Sequence, residues 1–333
     1  MKKFLLSLAL VAMALPFTSC TNDEPATPEE PVKETVVGKD LISWVIKADD
    51  CTTNYVETAE YTFNIERGKD EAIVSVVANN VKFDSHMPVR VSFRMENIKT
   101  TKFDENYIEF KASSVKFLDP ITDYDDEHPG FKITNVKGYI DKKNNIYSLD
   151  YTIDASAVGY STWRVLVCNS TVSTRVPDND YSAASDLYYT YKIDIEKMKA
   201  EVFIYNVQFQ VGGAMSPVLK KISIPNLDVE FTTTTYSEYT GEDDGVIDPV
   251  IELKGDEIVP TYYTGANLDQ ETPYPALMVT NFKSILNIAN GFHIIFFNCH
   301  GGEHSNFGND VNDVMGNNFY LWHWEQGSIP QKQ

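Results

Sequence analysis

Cysteine is scarce in this chain of 333 residues, which contains four. Apart from Cys20 they are Cys51, Cys168 and Cys299, and no C-x-x-C pair occurs among them. Three thiols form at most one disulfide, so the sequence excludes a scaffold that depends on several disulfides for its stability. We predict that these three cysteines serve mainly as small buried side chains.

Positive charge is also in short supply. The chain has 28 lysines and arginines against 48 aspartates and glutamates, which gives a formal net charge of −20. A chain with this charge is repelled by nucleic acid and by the surface of an anionic membrane. Nucleic acid is therefore excluded as a partner, and the composition predicts no positively charged footprint on the surface.

Amphipathic helices and familiar catalytic motifs are both missing. Beyond residue 20, no window longer than three turns keeps the i, i+3, i+4, i+7 spacing of an amphipathic helix. The patterns G-x-S-x-G, H-E-x-x-H, G-x-x-x-x-G-K-[ST] and G-x-G-x-x-G do not occur. Carboxylates are plentiful, however, so a glycosidase-type pair of carboxylates stays open.

The chain does contain many segments in which apolar and polar residues alternate. In residues 60–66, Tyr61, Phe63 and Ile65 alternate with polar residues. The same pattern recurs at residues 72–77, 89–95, 146–153, 189–195, 200–207 and 291–298. Such alternation is typical of half-buried strands. With 43% hydrophobic residues, enough for a sizeable core, the chain is predicted to be mainly β with antiparallel strands.

The N-terminus has the regions of a secretory signal. Two lysines precede an uncharged apolar run at residues 4–15, which is too short to span a bilayer. The run leads to the motif Phe17-Thr18-Ser19-Cys20, which resembles the lipobox of bacterial lipoproteins. We predict a lipoprotein signal peptide at residues 1–19 and a covalent lipid on Cys20, through which the membrane is a partner. No other cofactor is predicted. The acidic, proline-rich stretch that follows predicts a flexible tether over residues 20–40.

A weak internal repeat covers most of the remaining chain. The matched positions are, in order, Tyr61 and Tyr191, Asn80 and Asn206, Met87 and Met215, Asn97 and Asn226, and Asn135 and Asn281. More loosely, Trp44 ahead of Cys51 matches Trp163 ahead of Cys168. Because the matches keep the same order, they predict two related antiparallel domains, each barrel-like or sandwich-like, at residues 41–158 and 159–305. Four of the asparagines are predicted to serve turns or backbone hydrogen bonds where strands meet turns: Asn80, Asn135, Asn206 and Asn281.

The order of these motifs resembles that of Bacteroidetes lipoproteins of unknown function with tandem calycin-like or lipocalin-like β domains. The resemblance implies two small barrels, whose interiors are either filled by side chains or hold one small ligand. It implies no catalytic residues. Asp23 and Glu24, close to the lipidated cysteine, also resemble the surface-export signal of such lipoproteins. The implied location is the outer membrane, on its periplasmic face or at the cell surface.

Two kinds of metal site can be considered. Cys299, His300 and His304 offer soft and imidazole ligands that suit zinc. Gly301 and Gly302 make a helix there unfavourable, so a solvated loop is the favoured interpretation. Oxygen ligands of the kind that calcium takes occur in two stretches: Asp243, Asp244 and Asp248, and Asp310, Asn312 and Asp313. Neither stretch follows the calcium-loop pattern, so both are interpreted as solvated charge.

The C-terminal extension, residues 306–333, contains an aromatic segment. Strand alternation would place Tyr320, Trp322 and Trp324 on one face. Rings in such a row can contact a ligand such as a sugar, or a protein partner. They can also be core residues of a strand that closes the second barrel. The core interpretation is favoured, because alternating aromatics are enriched in ordinary strands.

Two functions from different classes remain. In the first, the protein is a membrane-anchored binding or structural lipoprotein whose ligand is an apolar small molecule, a glycan or a partner protein. In the second, it is a surface hydrolase that acts on a glycan or another polymer through unrecognised carboxylates or a metal. A repeat without a repeated His, Asp or Glu motif favours the first, because function resides in sites and not in the fold.

Overall fold

The computed structural model describes residues 31–120, 127–143, 145–175, 188–207, 210–211, 214–215, 217–235, 247–287, 292–300 and 318–324. Across these residues most of the chain is β-strand. The helices found there are two single 3-10 turns at Ser156–Val158 and Pro275–Leu277. The mainly β fold class is therefore confirmed.

Eight strands at the start of the fold form a closed antiparallel barrel. They are β1 (Val32–Lys47), β2 (Thr53–Arg67), β3 (Ala72–Val81), β4 (Val91–Phe103), β5 (Tyr107–Val115), β6 (Lys132–Asp141), β7 (Ile146–Asp154) and β8 (Thr162–Asn169). Each strand pairs with its neighbour in chain order, and β8 returns to pair with β1, with Leu166 opposite Trp44. Closure leaves the barrel with no free sheet edge.

The interior of this barrel is filled by side chains. On β2, Tyr61, Phe63 and Ile65 are at most 1% exposed, as their alternation predicts. The Phe83 ring stacks on that of Trp163 with the centroids 5.8 Å apart. Further interior rings are Phe93, Phe110, Phe117, Tyr147 and Tyr151. The Tyr61 and Tyr151 hydroxyls hydrogen-bond at 3.1 Å, which pairs two buried polar groups. Of the two interiors that a barrel of eight strands allows, this is the filled one.

The later strands form a second antiparallel sheet, with a separate two-stranded hairpin. They are β9 (Thr171–Arg175), β10 (Tyr188–Asp194), β11 (Lys199–Val207), β12 (Gln210–Val211), β13 (Ala214–Met215), β14 (Leu219–Thr235), β15 (Ile247–Gly255), β16 (Thr261–Thr264), β17 (Gln270–Pro273), β18 (Met278–Asn287), β19 (Phe292–His300) and β20 (Asn318–Trp324). The main path runs β9-β10-β11-β14-β15-β18-β19-β20, β16 and β17 extend from β14, and β12 pairs with β13.

One stretch of the barrel wall is shared with the core of the second sheet. Ile42, Trp44 and Ile46 point out of the barrel, are at most 1% exposed, and pack with the buried residues of the second sheet. The Trp44 ring meets Phe231 of β14 edge to face at 5.1 Å. Strand β1 is therefore buried on both faces over this stretch, so its residues 41–46 form a continuous buried run.

Six asparagines that the sequence repeat matched adopt the left-handed backbone conformation. They are Asn80, Asn97, Asn135, Asn206, Asn226 and Asn281, with φ between 50° and 58°. At five of them, all except Asn206, the strand register shifts by a bulge. Asparagine tolerates this conformation better than most residues, which explains why it recurs there. Asn80 and Asn206 are the next-to-last residues of β3 and β11, close to the strand ends that were predicted. Asn135 and Asn281 lie farther inside β6 and β18, because bulges occur inside a pairing ladder.

The structure places several boundaries differently from the sequence prediction. Strand β1 begins at Val32, inside the predicted tether, because Val32 already pairs with Arg67 of β2. The barrel extends past residue 158, since β8 pairs with both β7 and β1. Trp163 and Cys168 therefore belong to the first barrel. Trp163 lies in its interior, whereas Trp44 faces outward, so the loose match between them has no structural counterpart.

Candidate functional site

The outer wall of the barrel carries a groove across strands β5 to β8. It encloses about 740 Å³ and is open to solvent. The groove is lined by Lys111, Ala112, Ser113, Asn135, Val136, Lys137, Asp150, Thr152 and Arg164. The bulge at Asn135 falls within the groove. Because a bulge bends its strand and interrupts the ladder, it contributes to this recess.

Two lysines of the groove lining stand in a row with a third lysine from the neighbouring strand β4. Lys99 on β4 lies directly opposite Lys111 on β5, and Lys111 lies directly opposite Lys137 on β6. All three side chains are exposed. Residues directly opposite on neighbouring strands have Cβ atoms about 5 Å apart, and like charges in that relation destabilise a sheet. We call Lys99, Lys111 and Lys137 the lysine row.

Acidic groups neutralise only part of this row. Among the residues that the structure describes, Lys137 pairs with Asp150 at 3.2 Å, but Lys99 and Lys111 form no ion pair. The nearest acid along β5, Glu109, accepts a hydrogen bond from the Tyr107 hydroxyl at 3.3 Å instead. This basic surface was not expected from the composition of so acidic a chain.

Asp150 is the acidic centre of the groove, and two cations hold it. It is 6% exposed, and Arg164 donates to it through Nε at 3.0 Å and Nη2 at 2.8 Å, a bidentate pair. Burial opposes the charge of Arg164. Hydrogen bonding and charge from Asp150, with smaller contributions from Cys51 and Asp248, outweigh that effect and raise the pKa of the guanidinium. Both carboxylate oxygens are engaged, so Asp150 is suited to positioning cations and not to proton transfer.

The remaining lining groups are neutral hydrogen-bonding side chains. Ser113, Asn135 and Thr152 present two hydroxyls and an amide to the groove. Such groups pair with the hydroxyls of a ligand, whereas lysine and arginine bind carboxylate, sulfate or phosphate groups. The geometry therefore suits a polar ligand that carries negative charge.

Two partly buried thiols lie near this wall. Cys51 and Cys168 are both free and partly buried. Burial raises the pKa of Cys168 to about 12. Burial also raises the pKa of Cys51, and although Arg164 opposes this shift, Asp248 adds to it. Since the thiolate is the reactive form, burial lowers the reactivity of both cysteines.

A serine, a histidine and an aspartate meet in the loop after β3, but they do not form a catalytic relay. Asp84 Oδ1 lies 2.9 Å from His86 Nδ1, and Ser85 Oγ lies 3.3 Å from the same nitrogen. In a relay the acid and the nucleophile use opposite nitrogens of the imidazole. Asp84 also accepts the backbone N–H of His86, the largest cause of its lowered pKa. The three residues therefore form a turn.

A cluster of aromatic residues lies on the outer face of the second sheet. Tyr188 and Tyr205 lie opposite each other, and their rings stack at 4.3 Å. Lys221 Nζ lies 3.8 Å from the ring centroid of Tyr263 and 4.9 Å from that of Phe203. The charge of Lys221 is thus engaged by cation–π contacts, unlike the charges of Lys99 and Lys111.

Most site residues predicted from sequence lie outside the described residues. Cys20, His304, Asp243, Asp244, Asp310, Asn312 and Asp313 are outside the described residues. Cys299 and His300 end β19, and Tyr320, Trp322 and Trp324 belong to β20, but the described structure covers only the backbone of these five. In the register of β19 and β20, Trp322 is opposite Ile294. Asp248 is described, and it interacts electrostatically with Arg164 and Cys51.

Comparisons with protein-family models, with curated proteins and with solved structures find no match to this chain. Within the described ranges, no group of three or more His, Cys, Asp or Glu side chains is arranged to hold a metal ion. No helix in that part of the chain is long and apolar enough to cross a membrane.

Sequence reasoning missed the lysine row. Lys99, Lys111 and Lys137 are separated by 12 and 26 positions, and no local motif connects them. Alternation alone could have placed Lys111 outside the barrel, since Ile108 and Phe110 on the same strand are buried. The neighbour relation depends on strand order and register, which the chain defines only once it has folded.

Proposed function

We propose that this protein is a lipid-anchored binding protein that works outside the cytoplasm and binds its ligand in the groove on the barrel wall. The observation that supports ligand binding is the groove itself. It has a volume of about 740 Å³, and its lining includes lysine, arginine and hydrogen-bonding side chains. The filled barrel interior supports the same reading, because Tyr61, Phe63 and Trp163 occupy the space in which a lipocalin-like barrel would hold a ligand.

The proposed architecture is two related domains of the calycin-like kind, the second elaborated from the same plan. Six left-handed asparagines in matching order support a duplication. The order of strands supports it too, since both the barrel and the main path of the second sheet run as a meander of eight strands. The bulges at the matched pairs Asn97 and Asn226, and Asn135 and Asn281, would preserve the local twist of both copies.

The proposed anchor is the lipid on Cys20, and the proposed location is the outer membrane, on its periplasmic face or at the cell surface. The support is the lipobox-like motif that ends at Cys20 and the acidic stretch after it. In cells, Cys20→Ala should move the protein from the membrane to the soluble fraction, because the acyl chains would be lost. If that variant still sediments with membranes in high salt and incorporates labelled palmitate, the anchor is elsewhere.

The binding site can be tested by blocking the groove. We expect Ser113→Trp, which inserts a large ring at an exposed lining position, to abolish binding of a soluble saccharide by the processed chain. The panel contains dextran, dextran sulfate, polygalacturonate and palmitate, and binding is measured by calorimetry. Thr35→Trp, at an exposed position of β1 outside the groove lining, is the matched control.

The two variants separate the possible results clearly. Saccharide binding that survives Thr35→Trp and is lost in Ser113→Trp supports the groove. Binding of palmitate without binding of any saccharide would contradict the proposal, because it would mean that an apolar ligand enters the fold elsewhere.

A further inference from the structure

We propose that the lysine row and its groove bind an acidic polysaccharide, one that carries a carboxylate or a sulfate on successive sugars. This inference rests on the proposed binding function and names the ligand class of the same groove. The chain would cross the strands, with its charged groups on Lys99, Lys111 and Lys137 and its hydroxyls on Ser113, Asn135 and Thr152.

The first argument is the spacing of the row. Because the three lysines occupy opposite positions on consecutive strands, they repeat at the distance between strands, which is about 4.8 Å. That distance is close to the length of one sugar ring along an extended polysaccharide. A polymer with one anionic group per sugar therefore matches the spacing of the lysines.

The second argument is that the fold does not require this charge. Lys99 and Lys137 each follow a left-handed asparagine, Asn97 or Asn135, by two positions. In the second sheet the residues two positions after Asn226 and Asn281 are Asp228 and Lys283. Asp228 pairs with Lys199, and Lys283 Nζ lies 3.0 Å from Glu252. The same backbone positions thus carry neutralised charges there and an excess of positive charge in the barrel.

The third argument concerns the shape and the surroundings of the site. The row borders an open groove whose lining includes Ser113, Asn135 and Thr152, and their hydroxyl and amide groups match the hydroxyls of a sugar chain. The molecule as a whole is strongly acidic, with a formal net charge of −20, which opposes contact with an anionic leaflet. A thin, flexible polyanion can contact the row while it avoids the acidic surface around it.

The test uses the processed chain and three soluble polymers: polygalacturonate, dextran sulfate and uncharged dextran. We expect wild type to bind at least one of the two anionic polymers, and the binding to weaken with rising salt. Lys99→Gln/Lys111→Gln should weaken it about tenfold or more, because two charge-assisted contacts are lost. Lys39→Gln/Lys220→Gln removes two other exposed lysines and is the matched control. It should bind as wild type does.

Several outcomes would overturn the inference. The first is that the wild-type protein binds neither anionic polymer. If it then binds dextran, and Ser113→Trp abolishes that binding, the proposed binding function is supported but the acidic ligand is not. A second is an equal loss in the control pair, which would reduce the effect to overall charge. A third is binding to vesicles of phosphatidylcholine and phosphatidylglycerol, without polymer binding, that depends on Lys99 and Lys111. The row would then be a membrane contact.

Discussion

The barrel and the second sheet each carry a row of three charged residues at directly opposite positions on neighbouring strands. In the barrel the row reads Lys99, Lys111 and Lys137 on β4, β5 and β6. In the second sheet it reads Asp228, Lys254 and Lys283 on β14, β15 and β18, again at directly opposite positions. In both rows, the first and third residues stand two positions after a left-handed asparagine.

The difference between the rows lies in their counter-charges. In the second sheet, Lys254 Nζ lies 2.7 Å from Glu252 and 2.9 Å from Glu230, and Glu252 also pairs with Lys283. These contacts raise the pKa of Lys254, first through its hydrogen bond to Glu252. In the barrel row Lys137 pairs with Asp150, and among the residues that the structure describes Lys99 and Lys111 form no ion pair. A row of this kind can therefore be neutralised by neighbouring acids within a sheet. Folding does not require the excess positive charge of the barrel row.

The largest loss of stability is expected at Asp150, a buried carboxylate that pairs with two cations. Asp150→Ala should lower the free energy of unfolding by about 2–3 kcal/mol, because Arg164 and Lys137 lose their shared partner. Glu230→Ala removes one carboxylate from an exposed pair and should cost less than about 1 kcal/mol. Urea denaturation measures both variants. Equal losses would mean that burial does not distinguish these two acids.

Removal of Glu252 should make the second row resemble the first. Glu252→Gln is expected to cost about 1–2 kcal/mol, since Lys254 and Lys283 would then face each other without their shared acid. Burial tends to raise the pKa of Glu252, but Lys254 and Lys283 outweigh it and lower that pKa.

The same substitution should also change how stability depends on pH. Because the folded pKa of Glu252 lies below the unfolded value of about 4.3, its contribution is complete above that value and is lost as the pH falls through the folded pKa. Glu252→Gln should therefore differ from wild type most near neutral pH and least in acid. Thermal melts between these limits test this expectation, and a gap that widens in acid would contradict it.

A change in the opposite direction should neutralise the barrel row. Lys111→Glu places a carboxylate between Lys99 and Lys137, so it should raise the stability by about 0.5–1 kcal/mol while it abolishes binding of an acidic polysaccharide. At the corresponding position, Lys254→Glu would stand beside Glu230 and Glu252 and should destabilise the protein. If Lys111→Glu destabilises too, the barrel row contributes to folding and the comparison fails.

The smallest effect is expected at the shared bulges. Asn135→Gly and Asn281→Gly should each change stability by less than about 0.5 kcal/mol, because glycine adopts positive φ without a steric penalty. The two alanine variants should be less stable than the glycine variants, since alanine pays that penalty and has no side chain to hydrogen-bond locally. The melting temperatures of the four variants test this expectation. A marked difference between the two sites would mean that the bulges are not equivalent.

Much of the fold was predictable because its signals are local. Alternation at Tyr61, Phe63 and Ile65 identified the strand and its buried face, since side chains of a strand point to opposite sides in turn. The repeated asparagines were found as a pattern, although their role in bulges was not foreseen. The boundary at residue 158 was misplaced, because the sequence does not reveal that β8 pairs with β1.

The candidate site was hardly predictable, and the reason is physical. The sequence offered Cys299, His300 and Trp322 as candidates, because they are unusual residues close together in the chain. The groove instead joins residues of ordinary type from β5 to β8. A lysine on a strand is normally solvated and without consequence. It becomes notable only through its neighbours across the sheet.

By itself the sequence determined the β class and the buried face of several strands, because each depends on a few consecutive side chains. Only the tertiary structure decided that the barrel interior is filled, that Trp44 faces the second sheet while Trp163 faces inward, and that Lys99, Lys111 and Lys137 stand in one row. These properties depend on register and packing between distant segments, where a shift of one residue would turn every side chain to the other face.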